Sequence, residues 1–164
     1  MIISFKEIGK KDIKRVMPIY ISNKEYFLLS SKALPNNKTV YNDMQRIPHN
    51  LKKSYKKYML IIINHLDIGV IDLLYHYPLL NGVYIGLFLI KKEYQRQGLG
   101  SKVIDFLVNT FMKLGFLKIR LAVMKVNTQA LAFWEKNGFF FIKEGQVNIN
   151  GIIEEVIIME RNIK

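Results

Sequence analysis

The sequence predicts a single globular domain of the α/β or α+β class, and three observations carry this. The chain has 164 residues, half of them apolar, which is enough to bury a sizeable core in one domain. Val83 to Ile90 is an unbroken apolar run that reads as a strand buried on both faces. A short polar link then leads into Gln95-Arg96-Gln97-Gly98-Leu99-Gly100 and an amphipathic helix that starts near Ser101. No repeat, low-complexity tract or linker divides the chain, so residues 1–164 are read as one domain.

The elements follow in order. Met1 to Phe5 is strand-like and is followed at once by charge. Helical spacing runs from Lys10 to about Ile21 through Ile13, Val16, Met17 and Tyr20, and a second helical piece covers Asn23 to Ser31. Thr39 is suited to cap a third helix that runs through Ile47 and is closed by Pro48. Tyr58 to Ile63 and Ile68 to Tyr75 read as an antiparallel pair about a turn at Asn64-His65-Leu66-Asp67. Inside the central strand, Gly86 suggests a bulge or a close approach by another backbone. The helix from Ser101 to Leu114 is expected to bury Val103, Ile104, Leu107, Val108, Phe111 and Leu114, and Gly115 ends it. A strand at Lys118 to Met124, a helix at Asn127 to Asn137 and a strand at Phe139 to Ile142 complete the alternation. A last hairpin arm turns at Asn148-Ile149-Asn150-Gly151 and returns along Ile153 to Met159.

Composition removes several chemistries. The chain has no cysteine, which excludes disulfides, thiolate metal sites and a thiol nucleophile. His49, His65 and His76 lack metal-ligand spacing, so no metal is expected. No apolar run approaches a membrane span and no signal peptide opens the chain. The expected location is the cytoplasm. The formal net charge is +12, which would draw polyanions, nucleic acid among them. Much of it is scattered lysine in a Lys-, Ile- and Asn-rich chain. Its densest cluster, Lys52-Lys53-Ser54-Tyr55-Lys56-Lys57, reads as a solvated face. Nucleic acid is therefore not the favoured partner.

The turn after the central strand is a device for holding phosphate. Its glycines let backbone N–H groups approach a diphosphate, and the helix N-terminus adds its positive dipole end. P-loop spacing is absent, and Val103 stands where a dinucleotide fingerprint needs a third glycine. What the stretch does match is Q/R-x-x-G-x-G, filled by Gln95, Gly98 and Gly100. A second stretch, N-T-Q-A-L-A-F-W-E-K-N-G-F at 127–139, is similar to N-x-x-A-x-x-x-Y-x-x-x-G-F. Asn127 suits an N-cap and Gly138 a C′ position.

In this order and at this separation, the two stretches resemble motifs A and B of the GCN5-related N-acetyltransferases, the GNAT superfamily. The resemblance is specific from about Val83 to Phe139. It implies a mixed central sheet of six to seven strands, splayed at the central strand and flanked by about four helices. It also implies acetyl-CoA as cosubstrate. The pyrophosphate would lie on Gln95, Arg96, Gln97, Gly98, Leu99, Gly100 and Ser101, and the pantetheine arm along Phe88, Leu89 and Ile90. Asn127, Ala130, Phe133 and Trp134 would complete the cofactor site.

Catalytic residues do not carry over. Trp134 stands at the family's tyrosine acid, and an indole N–H does not donate a proton to a thiolate. Ala122 and Tyr84 stand where two branches of the family place a base glutamate. The candidates that remain are Tyr84 and Asp72, with Tyr75 and His76 at the end of the preceding strand. A backbone N–H at about Phe88 or Ile90 would polarise the thioester oxygen. The implied function is acetyl transfer to a primary amine of a small molecule or peptide by direct attack on the thioester, in a monomer or homodimer. Two alternatives stand beside it: an acetyl-CoA-binding regulatory module without turnover, and acetylation of aminoacyl-tRNA.

Overall fold

The computed structural model describes residues 1–163. Seven strands form one mixed sheet in the order β1-β2-β3-β4-β5-β7-β6. These are β1 (Ile3–Glu7), β2 (Lys56–Ile63), β3 (Leu66–Tyr75), β4 (Gly82–Ile90), β5 (Lys118–Met124), β6 (Phe140–Ile149) and β7 (Ile152–Asn162). Among the described residues five helices flank it: α1 (Ile13–Ser22), α2 (Lys24–Ser30), α3 (Asn37–Gln45), α4 (Leu99–Lys113) and α5 (Thr128–Lys136). Neighbouring strands are antiparallel except β4 and β5, which are parallel. Parallel neighbours need a crossover, and α4 supplies it.

Each face of the sheet buries its own apolar cluster. On one face Val16, Ile19, Tyr20, Phe27 and Val40 of α1–α3 pack on Tyr58, Leu60, Val70 and Leu89. On the other, Val103, Ile104, Leu107 and Phe111 of α4, with Trp134 of α5, pack on Ile71, Leu73, Val83, Ile85, Ile119 and Leu121. The division of strand residues between these clusters follows from the period of two along a strand.

Several expected boundaries move for local reasons. The cap of α3 is Asn36, not Thr39. Asn36 Oδ1 accepts from the Thr39 N–H at 3.1 Å, and Thr39 Oγ1 returns the contact from the Asn36 N–H at 3.0 Å. Thr39 is thus the reciprocal partner of a capping box, and the helix ends at Gln45, ahead of Ile47. The β2–β3 turn narrows to Asn64-His65, both with positive φ. The last turn narrows to Asn150-Gly151, which lengthens the β6–β7 arm.

The decisive feature is where β4 leaves β5. Their pairing covers only Gly82↔Lys118 to Ile85↔Leu121, although β4 runs on to Ile90 and β5 to Met124. At the same point the β3–β4 register slips, with Asp72 opposite Leu87 and Leu73 opposite Ile85. Gly86 is the extra residue, so the expected bulge is present. The approach that needs a glycine here is by a side chain, since a Cβ on Gly86 would lie 2.7 Å from Asp72 Oδ2. The close backbone contact lies one strand over, where a Cβ on Gly69 would collide with the Leu89 oxygen.

Candidate active site

Beyond Gly86 the open edge of β4 faces the gap. Lys91 N–H donates to the Ile68 oxygen at 2.7 Å, and the Leu89 oxygen lies against Gly69. Residues 89 and 91 therefore turn their backbone toward β3, and by alternation Phe88 and Ile90 turn theirs toward the gap. The Ile90 carbonyl is taken there by side chains, Asn23 Nδ2 at 3.1 Å and Gln95 Nε2 at 2.7 Å. The Phe88 ring lies over Phe133 with centroids 5.9 Å apart, and 5.5 Å from Trp134.

The turn into α4 keeps its backbone donors free. Arg96, Gln97 and Gly98 are on the open side of the turn; Arg96 has φ +59° and Gly98 φ +75°. Among the described residues, the N–H groups of residues 96 to 101 have no acceptor, as expected for a helix start that no side chain caps. A Cβ on Gly98 would meet nothing within 4 Å, whereas one on Gly100 would lie 3.2 Å from Phe133. Gly98 thus serves the turn and Gly100 lets α4 close on α5. Gln95 and Gln97 brace the loop from within: Gln95 Nε2 also donates to Asn23 Oδ1 at 2.9 Å, and Gln97 Nε2 to the Glu93 oxygen at 2.7 Å.

Asn127 caps α5, its Oδ1 accepting from the Ala130 N–H at 3.1 Å, and Ala130 and Phe133 are half-buried on the α4 side. Trp134 is buried among Phe88, Phe133 and Phe139. Contacts link Phe88, Ile90, Gln95, Gly100, Phe133 and Trp134 where β4, α4 and α5 meet, with Asn127 and Ala130 at the start of α5. Leu89 points the other way, into the α1–α3 core.

Of the reactive candidates, Tyr84 and Asp72 both lie on the α1–α3 side of the bulge. Burial pushes the Tyr84 phenol up to about 12, with Tyr77 adding to the rise and Arg120 opposing it. Asp72 is buried, but not at an edge, because β3 is an interior strand. Lys56 Nζ donates to both of its oxygens at 2.7 Å. Burial nevertheless wins and raises the Asp72 pKa against the Lys56 charge. Tyr75 and His76 lie at the far end of β3, where Tyr75 opposes Val83. Tyr75 packs on Phe111 and Phe116, and His76 on Tyr55 and Phe116. Neither approaches the splay.

Residues that the sequence did not single out complete this side. Lys56 was read as part of a solvated lysine face, yet its side chain is only 8% exposed. Strand alternation turns it inward, beside Asp72. Tyr58, opposite Asp72 in the ladder, hydrogen-bonds Tyr20, whose hydroxyl also donates to Asp43 Oδ2 at 2.7 Å. Asn23, at the head of the Asn23-Lys24-Glu25-Tyr26-Phe27 stretch, ties α2 to Gln95. Phe27 of the same stretch is core. Among the described residues no three His, Cys, Asp or Glu side chains gather as metal ligands, and no helix is long and apolar enough to cross a membrane.

The family model for the acetyltransferase (GNAT) family matches residues 44–139, more than half of the chain. This protein belongs to the GNAT family. Its seven-stranded splayed sheet is the GNAT fold. A probable spermine N(1)-acetyltransferase of Bacillus subtilis subsp. natto (strain BEST195) is 33% identical over 79 residues. That match covers 48% of this chain and about half, 49%, of that relative. An acetyltransferase from Thermus thermophilus superposes with a TM-score of 0.79 at 20% identity, covering 99% of this chain and 97% of that one. The PaiA N-acetyltransferase of Thermoplasma acidophilum, solved in complex with coenzyme A, gives 0.63 at 19% identity over 99% of each chain. At such identities the two structures speak for the fold alone.

Proposed function

We propose that this GNAT protein transfers the acetyl group of acetyl-CoA to a primary amine of a small molecule or peptide, by direct attack on the thioester. The observation that carries this is the splay at Gly86. It leaves Phe88 and Ile90 with backbone groups aimed into a gap, directly ahead of an exposed turn with open N–H groups.

The residues present fit the cofactor. The N–H groups of residues 96–101 and the dipole of α4 would hold its diphosphate. The open edge at Phe88 to Ile90 would pair with the amides of the pantetheine arm as another strand would. Phe133 and Trp134 close the apolar side. When bound, acetyl-CoA supplies the activated carbonyl. The N–H of Phe88 would polarise it, a role open to Ile90 as well. Tyr84, at about 12, stays protonated at neutral pH and acts as a hydrogen-bond donor rather than a base. Asp72 offers the carboxylate at the bulge, and burial moves it toward the range where it takes up a proton. Water carries protons between it and the amine.

CoA release from acetyl-CoA, followed with a thiol-reactive dye across polyamines, amino acids, aminoglycosides and N-terminal peptides, tests this reading. The protein contributes no thiol, having no cysteine. Release that depends on one amine class is the expected result. A second reading, an acetyl-CoA-binding regulator, draws on the burial of Trp134 in an aromatic cluster without an acid in its place. Saturable acetyl-CoA binding with no amine-dependent release from any member would select it.

A further inference from the structure

Around the bulge every acid is already matched. Asp72 is held by Lys56 at 2.7 Å. Glu160 is held by Lys118 at 2.9 Å and by Arg120 at 2.9 and 2.6 Å. Glu154, beside the hairpin tip, pairs with Lys32 at 2.7 Å. Asp43 accepts from Tyr20 at 2.7 Å and lies 3.2 Å from Arg46 Nη2. Cations are in surplus by contrast. Lys38 enters no ion pair among the described residues, and Arg46 faces Asp43 with one nitrogen while its side chain is 55% exposed.

Both cations line one pocket. It measures about 120 Å³ and lies between α3 and the β6–β7 tip, with Asn42 and Asn150 on its walls. Asp43 belongs to the same wall and ties the pocket to the bulge. It connects through Tyr20 to Tyr58, the ladder partner of Asp72. The charges of Arg46 and Asp43 both reach Asp72.

We propose that this pocket is the subsite for a carboxylate carried by the acceptor, so that the acceptor is an amino acid or short peptide rather than a polyamine. The inference rests on the acetyltransferase reading above. A guanidinium fork with free donors takes a carboxylate in two parallel hydrogen bonds. Lys38 adds a point charge, and the amides of Asn42 and Asn150 add neutral donors. A polyamine would bring like charge to Lys38 and Arg46 and find no free carboxylate near the bulge. The net charge of +12 favours the approach of an anionic acceptor in the same sense.

The test compares a dipeptide bearing a free carboxylate, its C-terminal amide and spermidine in the CoA-release assay. The subsite predicts that kcat/KM for the acid exceeds that for the amide at least tenfold. It also predicts that this preference collapses toward one in Arg46→Ala. Lys38→Ala, at an exposed residue without an ion-pair partner among the described residues, gives a second variant that keeps the fold and shrinks the preference severalfold. Equal use of acid and amide by the wild type, or a preference for spermidine, overturns the subsite and leaves the transferase standing. No turnover of any amine counts against the transferase instead. Calorimetric titration of the dipeptide into the CoA-saturated protein then decides the subsite. Binding that Lys38→Ala weakens severalfold supports it, and binding that Lys38→Ala leaves unchanged overturns it.

Discussion

The two sides of the β4 gap are built from different material. On the α4–α5 side the work falls to backbone: open N–H groups at 96–101, a left-handed Gly98 and strand groups at Phe88 and Ile90. On the α1–α3 side it falls to side chains from distant elements, as in Lys56–Asp72, Tyr20–Asp43 and Tyr58–Tyr20. A backbone site constrains a few residues in a row and tolerates little drift. A side-chain site can be assembled from any elements the fold brings together, and it can change its substrate without changing the fold.

Substitutions on the two sides should therefore fail differently. The largest effect is expected for Gly98→Glu, which sets a carboxylate and a strained left-handed side chain against the diphosphate. CoA affinity measured by calorimetry should fall at least about a thousandfold, roughly 4 kcal/mol, with the fold retained. Unchanged affinity would remove the turn from the cofactor site. Asp72→Asn, on the other side, strips a buried lysine of its partner and should cost about 3 kcal/mol in denaturant unfolding. CoA affinity should hold in the folded fraction. If Asp72→Asn weakened CoA binding while leaving stability alone, the division between the two sides would fail. Tyr84→Phe should lower kcat about tenfold with the KM for acetyl-CoA unchanged, and an unaltered rate would exclude Tyr84 from the chemistry. Asn127→Ala loses the α5 cap. It should cost about 1 kcal/mol of stability with a modest loss of CoA affinity, both readable from thermal shifts with and without CoA.

Two buried carboxylates sharpen the contrast through pH. Burial acts to raise both. At Glu160 the hydrogen bonds from Lys118 and Arg120 prevail and its pKa is lowered; at Asp72 burial prevails and its pKa is raised. A lowered carboxylate contributes stability that is present above its unfolded pKa, about 4.3, and is lost as pH falls through the folded value. A raised one has the opposite sign: it penalises the charged fold, and the penalty is relieved on acidification. Glu160→Gln should therefore flatten the acid limb of the stability curve below about pH 4.3. An unchanged limb would show that the pair contributes nothing.

The legible part of the molecule was the part with periodic or positional constraints. Gly98, Asn127 and Gly138 each meet a local backbone demand, so the strand-turn-helix and the capped α5 could be read ahead, and the splayed fold class followed from the family resemblance these positions carry with Gln95 and Gly100. The bulge at Gly86 was legible for the same reason. Lys56 was not, because a lysine cluster reads as solvated until strand register turns one member inward. Nor was the contact between Asp72 and Gly86, which depends on the β3–β4 register slip. Gln95 shows a subtler limit: its position was recognised, but only tertiary contact reveals that its side chain braces Asn23 and Ile90.

The most direct measurement is a titration of ¹⁵N-labelled protein with CoA, followed amide by amide. Binding at the splay predicts large shifts at Phe88, Ile90, Gly98, Leu99 and Gly100, with Gly9, Gly115 and Gly151 unmoved. Shifts clustered away from β4 and the turn, or none at saturating CoA, would contradict it.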